Sequence, residues 1–498
     1  MNEFSKLFLG AQDGDTVVLE KNRTYHVRQD DSFELNGYYC SNTAKADENP
    51  VGRRYTAIYL KGKKRITVDG NGATVMVHGK MTPILLDRCQ DITFKNLTID
   101  YACPTMAEIA VQNCVDGEYT LKINPECRFR LEENELFWRG EDGLDGKPYW
   151  EDHYLGRYRL VICYDPVKKG GWGIDMQSLA FESVNRLDEN TLLVRLKDKQ
   201  ARLPVGCVLQ TRNIIRDQVG ALFQRSKNVT LENMRIRFMH GLGLVAQFCE
   251  NVTYRNCDLT PGEGRTIAST ADFFQFSGCR GNLVVEGCKS WGAQDDHMNV
   301  HGTHLRIVEK NEKERSLLVR FMHDETWGLQ AFETGDDLEF IRWDTLIPYS
   351  TNRVARYERV SDTDVRLYLE APLPEMEVGK DVVAFPADET LADLAYAAAE
   401  EVNPGHTRRG RVASGDCFVA DKAVKDRIID ITGALCTEME GAAIAQTAYR
   451  NGVPFVIIRA ISDKADDSAE MDYPTFERIA AHRCAAVTMK LVAALCQE

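Results

Sequence analysis

The sequence predicts a mainly β protein, a parallel β-helix with antiparallel β insertions, followed by a shorter α/β segment. Three observations carry this. A short phrase of alternating strand residues with Asn or Gly recurs along the first part of the chain. Two stretches that lack the phrase read as hairpins. From about Ala384 the pattern changes to helices alternating with strands.

The recurring phrase is DITFKNLTID (91–100), NVTLENMRI (228–236), NVTYRNCDL (251–259) and NLVVEGCKS (282–290). Asn228 and Asn251 are 23 residues apart, and Asn251 and Asn282 are 31 apart. A repeat of roughly 20–50 residues marks a solenoid, and units made of strands without helical periodicity make it a parallel β-helix. The Asn and Cys positions should stack in ladders. GDTVVLEKNRTYHV (14–27) and KRITVDGNGATVMVHG (64–79) extend the pattern towards the N-terminus, so residues 1–100 read as the first part of the coil. Residues 101–215 carry hairpin-like alternations such as LVICYD (160–165) and TLLVRL (191–196), and read as a β insertion. Residues 216–302 return to the coil, and 303–383 read as a second β insertion. Residues 384–498 combine the Ala-rich LADLAYAAAEEV (391–402), GRVASGDCFVA (410–420), EMEGAAIAQTAYRNG (438–452) and PFVIIRAIS (454–462), an α/β alternation.

Composition narrows the functions. The chain has 498 residues, too many for one ordinary core. Its formal net charge of −14 argues against nucleic acid or an anionic membrane surface as partner. There is no run of about 18 apolar residues, so no membrane-spanning helix is expected. The first residues do not read as a signal peptide. The 15 cysteines contain no C-x-x-C pair and read as mostly reduced, buried thiols of a cytoplasmic protein.

The chemistry points to STADFFQFSGCRGNLVVEGCKSWGAQDDHMNVHG (269–302). Asp272 and Asp295 are 23 residues apart, about one coil, so stacked strands should bring them within about 4.7–4.9 Å at the backbone. Asp296 follows directly and would lie on the diagonal, about 7–8 Å from Asp272. Inverting glycosidases hold two carboxyl groups about 6.5–9.5 Å apart, and retaining ones about 5–5.5 Å apart. Crowding would also raise one pKa. Trp291 could offer a sugar an apolar platform, and His297, His301 and Arg265 could bond its hydroxyls. The bland alternative is that these aspartates cap turns on a solvated face. A calcium or zinc site is a further alternative.

TADFFQFSGCRG and WGAQDDHMNVHG make residues 1–383 resemble glycoside hydrolase family 110, the α-1,3-galactosidases that act with inversion. The resemblance implies a right-handed parallel β-helix, no metal or other cofactor, Asp295 as general acid, and Asp272 and Asp296 holding the attacking water as base. It also implies a glycan with terminal galactose as partner. That family is typically secreted, which leaves a segment upstream of Met1 as an alternative to the cytoplasmic reading.

Residues 384–498 separately resemble the C-terminal half of 5′-methylthioadenosine/S-adenosylhomocysteine nucleosidase, of the nucleoside phosphorylase fold. RVASGDCFVA, EMEGAAIA and RAISDKAD carry the match. It implies a purine pocket at Phe418 and Val419, ribose contacts from Met439 and Glu440, and Asp463, steadied by Ser462, donating a proton to the purine. Methylthioadenosine or S-adenosylhomocysteine would be the ligand. The family's first strands and its water-activating glutamate have no counterpart here, so this domain reads as partial. The chain therefore reads as a fusion of a glycoside hydrolase module with a partial nucleosidase module, and its exposed sheet edges as sites for homo-oligomer contact. Two alternatives stand beside this: nucleosidase activity as the sole function, or a β-helix that binds carbohydrate without cleaving it.

Overall fold

The computed structural model describes residues 1–41, 43, 48–155, 160–175, 179–211, 215–302, 305–342, 348–379, 389–408, 410, 412–414, 422–432, 434–438, 441, 455–461 and 473–495. The fold is mainly β. The chain divides into one compact unit of residues 1–299 with 323–331, and a second of 300–322 with 332–498.

The first unit is built on three parallel sheets that the chain visits in rotation. One holds, in spatial order, Thr16–Val18, Lys64–Asp69, Gln90–Lys95, Lys227–Glu232, Glu250–Arg255 and Arg280–Glu286. The next holds Thr24–Arg28, Thr74–His78, Thr98–Tyr101, Arg235–Ile236, Asp258–Leu259 and Lys289–Ser290. The third runs Ile58–Lys61, Ile84–Asp87, Val219–Gln224, Leu242–Gln247 and Phe274–Ser277, and ends with Met298–His301, whose first two residues belong to this unit. Val229 pairs with Ile92 on one side and Val252 on the other, so each coil repeats the apolar positions of its neighbour. Inside lie Val229, Leu231, Val252, Tyr254, Phe274 and Phe276, all buried, with the Tyr254 ring stacked on Phe274 at 5.2 Å.

The corners explain the repeated Asn. Asp91, Asn228 and Asn251 sit at φ +58°, +54° and +58°, and Asn96, Asn233 and Asn256 at +56°, +53° and +52°. Asn and Asp tolerate this left-handed conformation better than other residues with a Cβ. Their side chains then bond along the stack. Asn228 Nδ2 donates to Asp91 Oδ1 at 2.6 Å, Asn251 Nδ2 donates to Asn228 Oδ1 at 2.9 Å, and Asn251 Oδ1 accepts the Asn282 amide at 2.9 Å. The cysteines form a second ladder. Cys89, Cys249 and Cys279 direct their thiols at the carbonyls of Leu60, Phe223 and Ala246, at 3.2–3.3 Å. Gly287, at φ +63°, replaces Asn at the last of these corners.

A seven-stranded antiparallel sheet occupies residues 108–210. Its order is Gly170–Asp175, Leu160–Asp165, Val208–Gln210, Glu108–Val115, Glu118–Ile123, Thr191–Leu196 and Phe181–Arg186. A three-stranded sheet, Arg128–Glu132, Glu135–Arg139 and Glu151–His153, joins its core around buried Trp138 and Tyr154.

The second unit contains a five-stranded antiparallel sheet of Leu305–Asn311, Ser316–Phe321, Asp364–Leu369, Pro348–Arg359 and Asp337–Ile341. Further on, the helices Glu389–Val402 and Tyr473–Leu495 pack through Ala395 and Ala398 against Val487 and Leu491. Two short strands, Val412–Ser414 and Cys436–Glu438, run parallel. Among the described residues no helix is long and apolar enough to cross a membrane.

Asn251→Ala removes two ladder bonds and leaves alanine in a left-handed corner. The expected cost is about 3–4 kcal/mol, from ~1 kcal/mol per bond and ~1–2 for the backbone. Urea unfolding followed by circular dichroism should show this drop, with Asn251→Asp clearly milder. Equal small losses in both variants would mean that the ladder adds little.

Candidate active site

The candidate site lies where the chain turns from the second parallel sheet into the third. Two successive corners, 269–273 and 293–297, stack there. Ser269 forms a parallel bridge to Ala293, the Phe273 amide donates to the Asp296 carbonyl at 3.1 Å, and the Phe274 amide donates to that of His297 at 3.2 Å. These contacts set an offset of 24 residues at this corner. Asp272 is therefore level with Asp296, and Asp295 takes the diagonal, the reverse of the spacing expected from the sequence.

The three aspartates converge. Asp272, Asp295 and Asp296 each offer one carboxylate oxygen within 4.8 Å of the others. Asp272 is 5% exposed, whereas Asp295 and Asp296 are exposed. Burial, and then the charges of Asp295 and Asp296, push the Asp272 carboxyl up to about 6. A bond from Asn299 and the positive charge of Arg216 pull the other way. The oxygen spacing is tighter than the ~6.5–9.5 Å between acid and base in inverting glycosidases. The same oxygens could hold a hard divalent cation.

The sequence did not single out Arg216. Its guanidinium forms an ion pair with Glu325 at 3.0 Å. The neighbouring Asp217 anchors this segment: it accepts from Lys80 at 2.9 Å and faces His240 Nε2 at 3.0 Å, and the other His240 nitrogen lies 2.6 Å from Thr105 Oγ1. Burial would raise the Asp217 carboxyl, but the Lys80 charge and the His240 bond outweigh it and hold it low. A signal for Arg216 existed in the rung spacing. It stands three residues ahead of Val219, which pairs with Leu242, and so falls in the column of Met239, itself bridged to Ser269.

Other expected residues divide. His297 is at the corner, its Nδ1 2.9 Å from Ser290 Oγ and its ring stacked on Phe273 at 5.7 Å. Trp291, 42% exposed, stacks on Tyr164 at 6.3 Å. Arg265 is not presented to an open surface. It is 5% exposed, with its Nη2 2.7 and 2.8 Å from the two Asp100 oxygens and its Nε 3.2 Å from Glu126. His301 belongs to the second unit, where its Nδ1 lies 3.3 Å from the Gly302 carbonyl. Phe418, Val419, Met439, Glu440, Ser462 and Asp463 lie outside the described residues. Nearby, buried Glu438 accepts from Ser414 and from the Gly441 amide, and stands 3.3 Å from Arg459.

Comparison with known proteins finds two kinds of relative. The chain is 33% identical over 349 residues to alpha-1,3-galactosidase A of Bacteroides thetaiotaomicron, covering 70% of this chain and 59% of that protein. Its N-terminal part is similar to alpha-1,3-galactosidases. The Akkermansia muciniphila alpha-1,3-galactosidase A is 32% identical over 69% of this chain and 56% of its own length. Alpha-1,3-galactosidase B of Bacteroides fragilis is 26% identical over 88% of this chain and 72% of that protein. The chain thus spans somewhat over half the length of the A-type relatives. Residues 349–493 match the phosphorylase superfamily. That match opens inside strand Pro348–Arg359 of the antiparallel sheet, upstream of the change in composition near Ala384.

Because the folded carboxyl of Asp272 titrates near 6, above its unfolded value, the folded state binds this proton more tightly. The contribution to stability is neutral below about pH 4 and declines as pH rises to about 6. Beyond that it stays unfavourable by about 3 kcal/mol. Asp272→Asn should therefore melt higher than the native chain at pH 7 and lose that advantage by pH 4. Thermal melts across this range check it, and an advantage that does not change with pH would contradict it.

Proposed function

We propose that the first part of this chain is a glycoside hydrolase of family 110 type, built on a right-handed parallel β-helix, that removes terminal α-1,3-linked galactose with inversion. The observation that carries this reading is the convergence of Asp272, Asp295 and Asp296, with one carboxyl buried and two exposed. The three parallel sheets support the β-helix, since the chain passes from one to the next in every coil. The relatives named alpha-1,3-galactosidase support the substrate.

In this mechanism Asp295, the exposed carboxyl on the diagonal, protonates the departing oxygen. Asp272 and Asp296 hold the water. As the water attacks C1 from the face opposite the leaving group, one of them takes its proton. A base with a pKa of about 6 is strong enough to help and ionised at neutral pH. Arg216 keeps Asp272 from rising further, so the base remains available. Substrate entering between acid and base would separate the carboxylates towards the ~6.5–9.5 Å that inversion requires.

With a galactosyl-α-1,3-galactose substrate, nuclear magnetic resonance should show β-galactose as the first product. Initial α-galactose would reject inversion. Asp295→Asn should lower kcat by roughly 10²–10⁴-fold, the usual range for losing a general acid. In the pH profile, kcat/KM should fall as pH drops through about 6, because Asp272 must be ionised. A fall as pH rises through 6 would instead make Asp272 the acid and overturn the assignment.

The match to the phosphorylase superfamily supports a second reading for the C-terminal part, a partial nucleosidase domain taking methylthioadenosine or S-adenosylhomocysteine. Asp463 would be its acid. Without the strands and glutamate implied by the resemblance, adenine release should be undetectable. Release that disappears in Asp463→Asn would show the domain to be active.

A further inference from the structure

Resting on the galactosidase reading, we propose that Tyr164 and Trp291 together form the platform for the second sugar ring, the one from which galactose is cleaved. Trp291 stands at the neck of a closed loop. Ser290 Oγ and His297 Nδ1 meet at 2.9 Å, so residues 291–296 leave and return at one point. Trp291 is on one foot of this loop, and Asp295 and Asp296 are on the other. The two feet are thereby brought together, with Trp291 following one and Asp296 preceding the other.

The insertion supplies the other half. Gln294 Nε2 donates to the Gln210 carbonyl at 3.3 Å, tying the loop to strand Val208–Gln210. Tyr164 lies on the adjacent strand, paired with Val208. Its ring stacks against Trp291 with planes 28° apart, while Trp291 stays 42% exposed. A large aromatic side chain backed on one side and open on the other suits the apolar C–H face of a pyranose, with its polar edge left to water.

Depth sets which ring it holds. Asp272 is 5% exposed and Trp291 42% exposed, and Trp291 stands four residues ahead of the exposed Asp295 in the chain. A terminal galactose reaching the buried base must leave the next sugar on the outer side, where the aromatic pair lies. The ligand class is a galactoside whose leaving group is itself a pyranose.

The test compares two substrates of the full chain. Galactosyl-α-1,3-galactose carries the second ring, and α-galactosyl fluoride does not. Tyr164→Ala should raise KM for the disaccharide roughly 3–10-fold, the range for losing one aromatic contact, and leave fluoride turnover within about two-fold. Tyr164→Phe should restore the disaccharide KM, which a general folding defect would not allow. Equal losses on both substrates would overturn the proposal. If the native chain cleaves neither substrate, saturation-transfer resonance with the same disaccharide still decides. Transfer to the reducing ring that disappears in Tyr164→Ala supports the platform without the activity, and transfer unchanged in that variant, or absent from the native chain, overturns it.

Discussion

The left-handed corner fixes everything downstream of it. Each coil must change direction without losing alignment with the last, and a residue at positive φ does this in one step. Asn at Asn228 and Asn251 meets the conformational demand and also bonds to the coil on either side. The register of the stack is thus set by side chains as well as by the strand ladder. A slip of one residue would reverse the facing of every strand position. It would also take Asp272 out of level with Asp296, so the carboxylate cluster depends on the same corners that hold the sheets in order.

This is why so much of the first unit could be read in the chain. The phrase of alternating apolar residues and Asn is local, and each part of it has a local cause: burial for Val229 and Leu231, positive φ for Asn228 and Asn233. The convergence of three aspartates followed from coil length alone. Its detail did not. Spacing by 23 residues suits the pairing of Val219 with Leu242, but Leu244 pairs with Phe274 across a longer coil, and Ser269 bridges Ala293 at 24. Corner length varies where the strands do not constrain it, so the direct and diagonal partners of Asp272 changed places.

The remaining differences come from contacts distant in sequence. Arg265 was expected to bond the hydroxyls of a sugar, yet Asp100 and Glu126, far upstream, hold its guanidinium. Arg216 pairs with Glu325, and Tyr164 reaches Trp291 from the insertion. Periodicity cannot show these pairs, because insertions break the period that makes the coil legible. In the C-terminal part, helical spacing did mark Glu389–Val402, whose Ala395 and Ala398 face Val487 and Leu491. The family match begins earlier than composition suggests, within a strand hydrogen-bonded to both Asp337–Ile341 and Asp364–Leu369.

Placing Asp272 in the stack is unfavourable in itself. A carboxyl that is buried and faces two others resists ionisation. The neighbouring groups limit that cost without removing it. Asn299 bonds the carboxylate, and Arg216 supplies charge from a segment fastened by Lys80, Asp217 and His240. A stack that only had to fold would fill this position with an apolar or amide side chain. Instead a carboxyl stands here beside the exposed carboxylates of Asp295 and Asp296.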